Sequence, residues 1–399
     1  MASDPRIPPA LAGLIDAGRA FAEQAPSARV NLARLDGVVR PGIVPVAVRE
    51  RAVAAVERAS TATTTPLSGN EVERLLRNAW DDPVSRVLDD IDLDEPLAVR
   101  PHAQTHRAVL DGEPVAVKVA RPRVVAAVRA DLALIDMLAG PAAAAFPALD
   151  VRAVFGEVRE RVMDELDFEH EGEIHRRVAR GLRRFDGIEV ARVNDELTTH
   201  DVHVSELLEG PTLADSHPND PGKVARVLVR AFLGAPRTVG MVLANPRAND
   251  VVLLPDGGVG LIGPGAARAV PRSRVDEWIA TLEALQARDE AAFGSALAAQ
   301  GLLPADAGRA AYAIVEESLG PLLLMGGPTV LDDEALAAAG ARALDRADTI
   351  VGLVGQATPD PADLWPLRML AQLAATLAPL GAEEDWLDLA LAALRNGWR

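Results

Sequence analysis

Apolar residues recur at helical and at strand spacing in separate stretches of this chain, and the order of those stretches predicts its elements. Across Glu71–Trp80, Val72, Leu75, Leu76 and Ala79 fall three and four residues apart, the stripe of an amphipathic helix, and a short second helix is expected to start at Pro83. The period then shortens to two. Thr105–Leu110 and Val115–Ala120 read as strands around Asp111-Gly112, a pair that tolerates the positive φ of a tight hairpin turn. Helical spacing returns over Val124–Leu138 and from Ala153 to about Arg184. Gly187–Val193 and Asp201–Leu207 are the next expected strands, and Gly222–Val242 a helix with an interruption at Pro236. A second hairpin joins Val251–Leu254 to Val259–Ile262 through Pro255-Asp256-Gly257-Gly258. Beyond Pro271 the pattern is helical throughout, punctuated by Pro304, Gly326-Gly327-Pro328, Pro359 and Pro361, with Ser273 and Asp276 as a candidate cap of the first block. Residues 1–60 read as helical segments between proline-marked turns, and Ser60–Asn70 as a polar linker.

Strands and helices mixed in the middle with helices at both ends define an α+β chain. Its 399 residues suggest two or three structural units. Hydrophobic residues make up 49% and aromatic residues 3%, so the core is built from small aliphatic side chains that favour helices. The net charge of −17 argues against nucleic-acid binding, which needs clustered cations to neutralise phosphates. The local run Arg176, Arg177, Arg180, Arg183 and Arg184 reads as a solvated helix face. With no cysteine, disulfides, zinc–thiolate sites and thiol catalysis are excluded. The start, MASDPRIPPA, lacks the basic-then-apolar pattern of a secretory signal, and no uncharged apolar run reaches membrane-spanning length, so a soluble cytoplasmic protein is expected.

Few residues offer chemistry. Lys118 interrupts the apolar strand Val115–Val119, so it either finds a partner or lies at a solvent-facing edge. Downstream, Asp164 to Glu171 form a dense acidic stretch, with Asp164, Asp167 and Glu171 spaced to share one face of a helix. His102 with His106, His170 with His175 and His200 with His203 sit at suggestive spacings, but without cysteine or a tight carboxylate cluster zinc is the weaker reading. The Pro255–Gly258 glycines lead into a strand rather than a helix, so they make a turn and not a phosphate cradle. Ser205 lacks the glycine elbow of a hydrolase nucleophile.

Gly112, the run VAVKVARP from Val115 and the run ELDFEHE from Glu165 together resemble the nucleotide lobe of the UbiB/AarF atypical-kinase family. That resemblance, carried from about residue 30 to residue 300, implies a two-lobed protein-kinase-like fold with extra N-terminal and C-terminal helices. Its expected divisions are a helical extension over 1–92, an N-lobe with a helical insert over 93–210, a C-lobe core over 211–300 and a helical region over 301–399. It casts Lys118 as the phosphate lysine, Glu171 as its ion-pair partner, and Glu165 and Asp167 as the family's additional acidic pair. Ser205–Gly210, with Glu206 and Leu208, resembles the hinge that meets adenine.

The resemblance fails at the catalytic positions. Asn245 stands where the family has its catalytic aspartate, and an amide is no proton acceptor at neutral pH. Asp250 stands at the metal-binding asparagine, and Gly263 takes the place of the metal-binding aspartate of the DFG triplet, leaving Asp250 as the sole candidate magnesium ligand. In the phosphate-covering loop Gln104 and His106 match, while Arg100 and Pro101 add bulk; the covering N-terminal motif is replaced by Leu32–Leu35, before Arg40 and Pro45. The expectation is a pseudokinase that binds ATP or a lipid- or quinone-type ligand, or a partner protein, without efficient phosphoryl transfer. The alternatives are a weakly active atypical kinase or ATPase using Asp250, linked to isoprenoid-quinone or lipid metabolism, and a structural interaction protein whose C-terminal helices, Asp332–Asn396, form homo-oligomers.

Overall fold

The structure, a computed structural model, describes residues 65–398 apart from 101 and 265, together with 13, 14, 16–18 and 20. Most of the expected N-terminal helical region, residues 60–64 of the linker, Pro101 and the Leu32–Leu35 segment lie outside the described residues.

The first lobe is an antiparallel five-stranded sheet. Helices α1 (Gly69–Trp80) and α2 (Val84–Val87) precede β1 (Asp90–Ile91), β2 (Ala98–Val99), β3 (Ala103–Leu110) and β4 (Glu113–Ala120). The strand order is β1-β3-β4-β6, with β6 spanning Val202–Glu206 and β2 pairing with β3. Asp111 and Gly112 take φ of 52° and 79°, the left-handed turn their sequence favours. Strand β4 lies between β3 and β6, so the alternative of an edge lysine is excluded. Alternation sorts its side chains: Val115, Val117 and Val119 join Val202, Val204 and the α1 residues Val72 and Leu76 in one core. Ala120 turns to the opposite face with Ala103 and Phe168. Lys118 shares that opposite face, directly across the ladder from Thr105 and His203.

Between β4 and β6 come α3 (Val124–Leu134), a 3-10 turn, α4 (Ala139–Ala145), α5 (Val151–Asp164), α6 (Phe168–Leu182) and β5 (Ile188–Val190). The helix expected from Ala153 to Arg184 is thus two helices. Asp167 breaks it: its carboxylate accepts from the backbone N–H groups of Glu169 and His170 and caps α6. Asp164 therefore ends one helix while Glu171 sits in the first turn of the next, and the three carboxylates do not share one helical face.

The second lobe is built around α7 (Pro221–Val239), which is buried along most of its length. Pro236 sits inside it without interrupting it; the helix ends at Gly240, whose φ of 66° turns the chain into β7 (Met241–Leu243) rather than prolonging the helix to Val242. Strands β8 (Val251–Leu253) and β9 (Val259–Leu261) form the expected second hairpin, with β5 added parallel to β9. Strand β10 (Ala267–Ala269) returns to pair with β7. The remainder is α8 (Arg272–Gln286), α9 (Glu290–Ala299), α10 (Gly308–Leu323), β11 (Thr329–Leu331), α11 (Asp333–Asp345), α12 (Ala347–Val354), α13 (Leu364–Leu377), β12 (Ala382–Glu384) and α14 (Trp386–Asn396). Two corrections follow. The region beyond Pro271 contains the β11–β12 pair, and Ser273 is not a cap, because α8 already starts at Arg272 and Asp276 is engaged by Arg237 at 2.6 Å. One continuous apolar core joins α6, α7, β7–β9 and the C-terminal helices, separate from that of the five-stranded sheet.

Candidate active site

The lysine and its partner meet where α6 crosses the inner face of the sheet. Lys118 Nζ lies 2.6 Å from Glu171 Oε2 and 4.2 Å from the centre of the buried Phe168 ring. Burial opposes ionisation of Glu171, but the positive charge of Lys118 outweighs it and, with the adjoining histidines, takes the carboxyl down to about 2. One turn along the same helix, His175 stacks on His203 of β6, with ring centres 5.6 Å apart and planes 9° from parallel. Both rings are buried, and none of their four nitrogens has a hydrogen-bond partner. Burial lowers both pKa values, that of His175 to about 3 with the help of His203, so the rings are neutral at physiological pH.

Gln104 and His106 have a structural task. Gln104 accepts from Leu67 N–H at 2.7 Å and lies 3.0 Å from His106, whose other ring nitrogen is 2.6 Å from the Asp92 carbonyl. These fully buried side chains tie the segment before α1 to the sheet.

At the lobe connection Glu206 forms two 3.1 Å contacts with Arg192, and that pairing lowers the Glu206 pKa. Leu208 lies over the β8–β9 hairpin so closely that a Cβ on Gly260 would come 2.6 Å from it. Gly210, at φ 147°, leaves no room for a side chain, because a Cβ there would approach the Leu253 carbonyl oxygen to 2.2 Å.

Across the cleft, the loop after β7 carries Asn245 and Asp250. Asp250 is held by Arg247 at 2.6 and 2.7 Å and lies beside Gly263. Asn245 Oδ1 accepts from Arg368 at 3.2 Å, and the same guanidinium reaches Glu165 at 2.6 and 3.4 Å. Arg368 comes from α13. Burial, with Arg247 nearby, lowers its pKa to about 10, which leaves it charged at neutral pH. Trp365, one turn earlier, donates to Glu157 at 2.8 Å, where Arg268 also binds at 2.8 Å. Arg161 meets Asp164 at 2.6 Å, and the space among Arg161, Glu165, His170 and Trp365 is closed to about 10 Å³, at most one water. Thr376 anchors α13 to the Pro246 carbonyl at 3.0 Å.

The structure thus pairs Lys118 with Glu171 and gives Glu165 and Asp167 different work, one on Arg368 and the other capping α6 with His200 at 3.4 Å. Arg368, Trp365 and the His175–His203 stack carry no signal in local sequence, because each depends on partners distant along the chain. The residues present do not fit the magnesium that the resemblance implies. A hard cation needs free oxygen ligands, whereas Asp250 is held by Arg247 and Glu165 by Arg368, and Gly263 offers none. No group of three or more acidic or histidine side chains suited to a metal occurs among the described residues.

A protein-family model described as the ABC1 atypical kinase-like domain matches residues 61–296. AarF domain-containing protein kinase 1 of Xenopus tropicalis is 30% identical over 200 residues, covering 49% of this chain and 38% of the relative. The probable protein kinase UbiB of Vibrio cholerae is 29% identical over 155 residues, 38% of this chain and 28% of that protein. The chain therefore matches well under two thirds of the length of these curated relatives. A solved structure of Rv3197 from Mycobacterium tuberculosis, in complex with erythromycin, superposes with a TM-score of 0.63 at 21% identity, over 93% of this chain and 97% of that one. With the fold, the Lys118–Glu171 pair and a family match across more than half its length, the chain belongs to the ABC1 (UbiB/AarF) atypical kinase-like family.

Proposed function

We propose that this chain is a pseudokinase of its family, a kinase-like scaffold that binds nucleotide without efficient phosphoryl transfer. One observation carries the reading: Lys118 and Glu171 remain paired while Asn245 and Asp250, at the catalytic and metal positions, are engaged by Arg368 and Arg247. An amide already accepting from a guanidinium cannot take the acceptor's proton, and a carboxylate in an ion pair must lose that partner before it ligates a metal. In this reading Lys118 contacts the phosphates, and Glu206 and Leu208 line the adenine side of the hinge.

A second ligand class has its own support. An open groove of about 390 Å³ in the C-terminal region is lined by Pro321, Leu322, Met325, Val330 and Ala335, and Met325 is 68% exposed. That size and lining suit an apolar lipid- or quinone-type molecule. The mycobacterial protein of similar fold was solved in complex with erythromycin.

The test is thermal shift and isotope-labelled turnover on the purified full chain. ATP is expected to raise the melting temperature of the wild type by mass action, and Lys118→Ala to abolish the rise. Magnesium-dependent release of γ-phosphate, lost in Asp250→Ala, would instead establish a weak ATPase. No nucleotide effect in either protein would leave a structural interaction protein.

A further inference from the structure

The C-terminal groove of about 390 Å³ shares no residue with the cleft and lies between the end of α10 and one face of α11. Its wall on α11 is Ala335, Ala338 and Arg342, three and four residues apart and therefore on one helical face. Over about two turns, roughly 10 Å along the axis, that wall changes from apolar to charged. The two alanines leave room beside Pro321 and Leu322, and the exposed side chains of Met325 and Val330 complete the lining. Apolar surface left open around a concavity marks a binding site rather than a finished core.

Arg342 is the only charged side chain among the lining residues. Its Nε and Nη2 donate to the Ser318 carbonyl at 3.3 and 2.9 Å, which orients the guanidinium without neutralising it. Glu317, the residue before Ser318, is already taken by Arg346 at 2.6 and 2.5 Å. The cleft arginines Arg247 and Arg368 are each paired with a carboxylate, whereas no carboxylate of the described residues forms an ion pair with Arg342. In a chain of net charge −17, a half-buried cation of this kind keeps N–H donors for an anion from outside.

We infer that this groove binds a single-chain fatty carboxylate, its head on the Arg342 guanidinium and its alkyl chain along Ala338, Ala335 and Leu322 toward Met325 and Val330. A planar guanidinium matches a carboxylate through two N–H bonds, and the charge makes those bonds stronger than neutral ones. The volume stands near the lower end of small-molecule sites, about 300 to 1,000 Å³, as one alkyl chain requires. Met325, unbranched and polarisable, adapts its shape to such a chain. The inference deepens the reading of the groove as a lipid-type site and rests on it; what it adds is the negative charge of the head, which a quinone ring lacks.

The experiment is calorimetric titration of the purified full chain with decanoate, decanol and decyltrimethylammonium at about pH 8, where the carboxylate is ionised. Decanoate is expected to bind at least about tenfold more tightly than decanol, and decyltrimethylammonium more weakly than either. Arg342→Gln should cancel the advantage of decanoate while leaving decanol binding intact, and Arg342→Lys should retain part of it. Ala338→Phe, which fills the groove, should abolish binding of both. Should Arg342→Gln fail to fold, the order of the three probes on the wild type, together with Ala338→Phe, carries the test. Equal affinity for decanoate and decanol, or decanoate binding unchanged in Arg342→Gln, would overturn the inference while sparing a neutral apolar ligand. Binding that survives Ala338→Phe would place the ligand elsewhere and overturn it too, whereas a wild type that binds no probe would sink the lipid-type reading with it. A dimer in analytical ultracentrifugation that Ala338→Phe breaks would give the groove to a second copy of the chain and refute it.

Discussion

Acidification should loosen the lobe that holds Lys118, and His175 sets the scale. Its pKa is about 3 in the folded chain because of burial and the neighbouring His203, against an ordinary value of 6.5. The unfolded chain takes up the proton first. The contribution of the neutral ring is therefore complete above about pH 6.5 and is lost as the pH falls toward 3. From those two values, His175 alone removes about 2 kcal/mol of stability between neutrality and about pH 5. His203, lowered by its own burial, pushes the same way. The charged groups facing the rings are Glu171 on their own side of α6 and Lys118 on β4, with Arg176 acting on His203. Glu171, held at about 2 against 4.5, loses its contribution only at lower pH, so the window between 4.5 and 6.5 belongs to the histidines. Urea unfolding of wild type and His175→Phe at about pH 7.5 and pH 5 reads the effect, with the wild type losing about 2 kcal/mol more than the variant. Equal losses, or a His175 or His203 Cε1 proton resonance titrating near the unperturbed midpoint, would refute the reasoning.

Further outcomes concern the pairings around the cleft. Lys118→Ala strands Glu171 without its cation and should cost about 3 kcal/mol, with Glu171→Gln restoring part of it in a double-mutant cycle by chemical denaturation. Gly210→Ala forces a Cβ to 2.2 Å from the Leu253 carbonyl oxygen at a φ of 147°, so a loss above about 2 kcal/mol is expected in the same assay. Trp365→Phe keeps the ring against α5 but removes its 2.8 Å bond to Glu157, for a loss of about 1 kcal/mol; an unchanged melting temperature would show that bond to be idle.

Local patterns reached far into the site. The period-two run around Lys118 gave its strand and the Asp111-Gly112 turn the hairpin that presents it, while its partner Glu171 was expected from the family resemblance. Apolar spacing continues through the break between α5 and α6, so it suggests one helix from Ala153; the local signal of the division is Asp167 just before Phe168, an N-cap residue opening a helical run. The strand pair β11–β12 escaped because three-residue strands are too short to display a period.

Sequence by itself determined the β3–β4 hairpin of the first lobe and the place of Lys118 in it, while the family resemblance singled out Asn245, Asp250 and Gly263 as departures from its pattern. The strands and their turn are set by neighbouring residues, so spacing encodes them. Only the tertiary structure decided what fills the cleft. Arg368 reaches Asn245 across 123 residues and Glu165 across 203, and His175 meets His203 only because α6 packs on β6. Such contacts depend on how elements pack, and side chains brought together by packing leave no period or motif in the chain that encodes them.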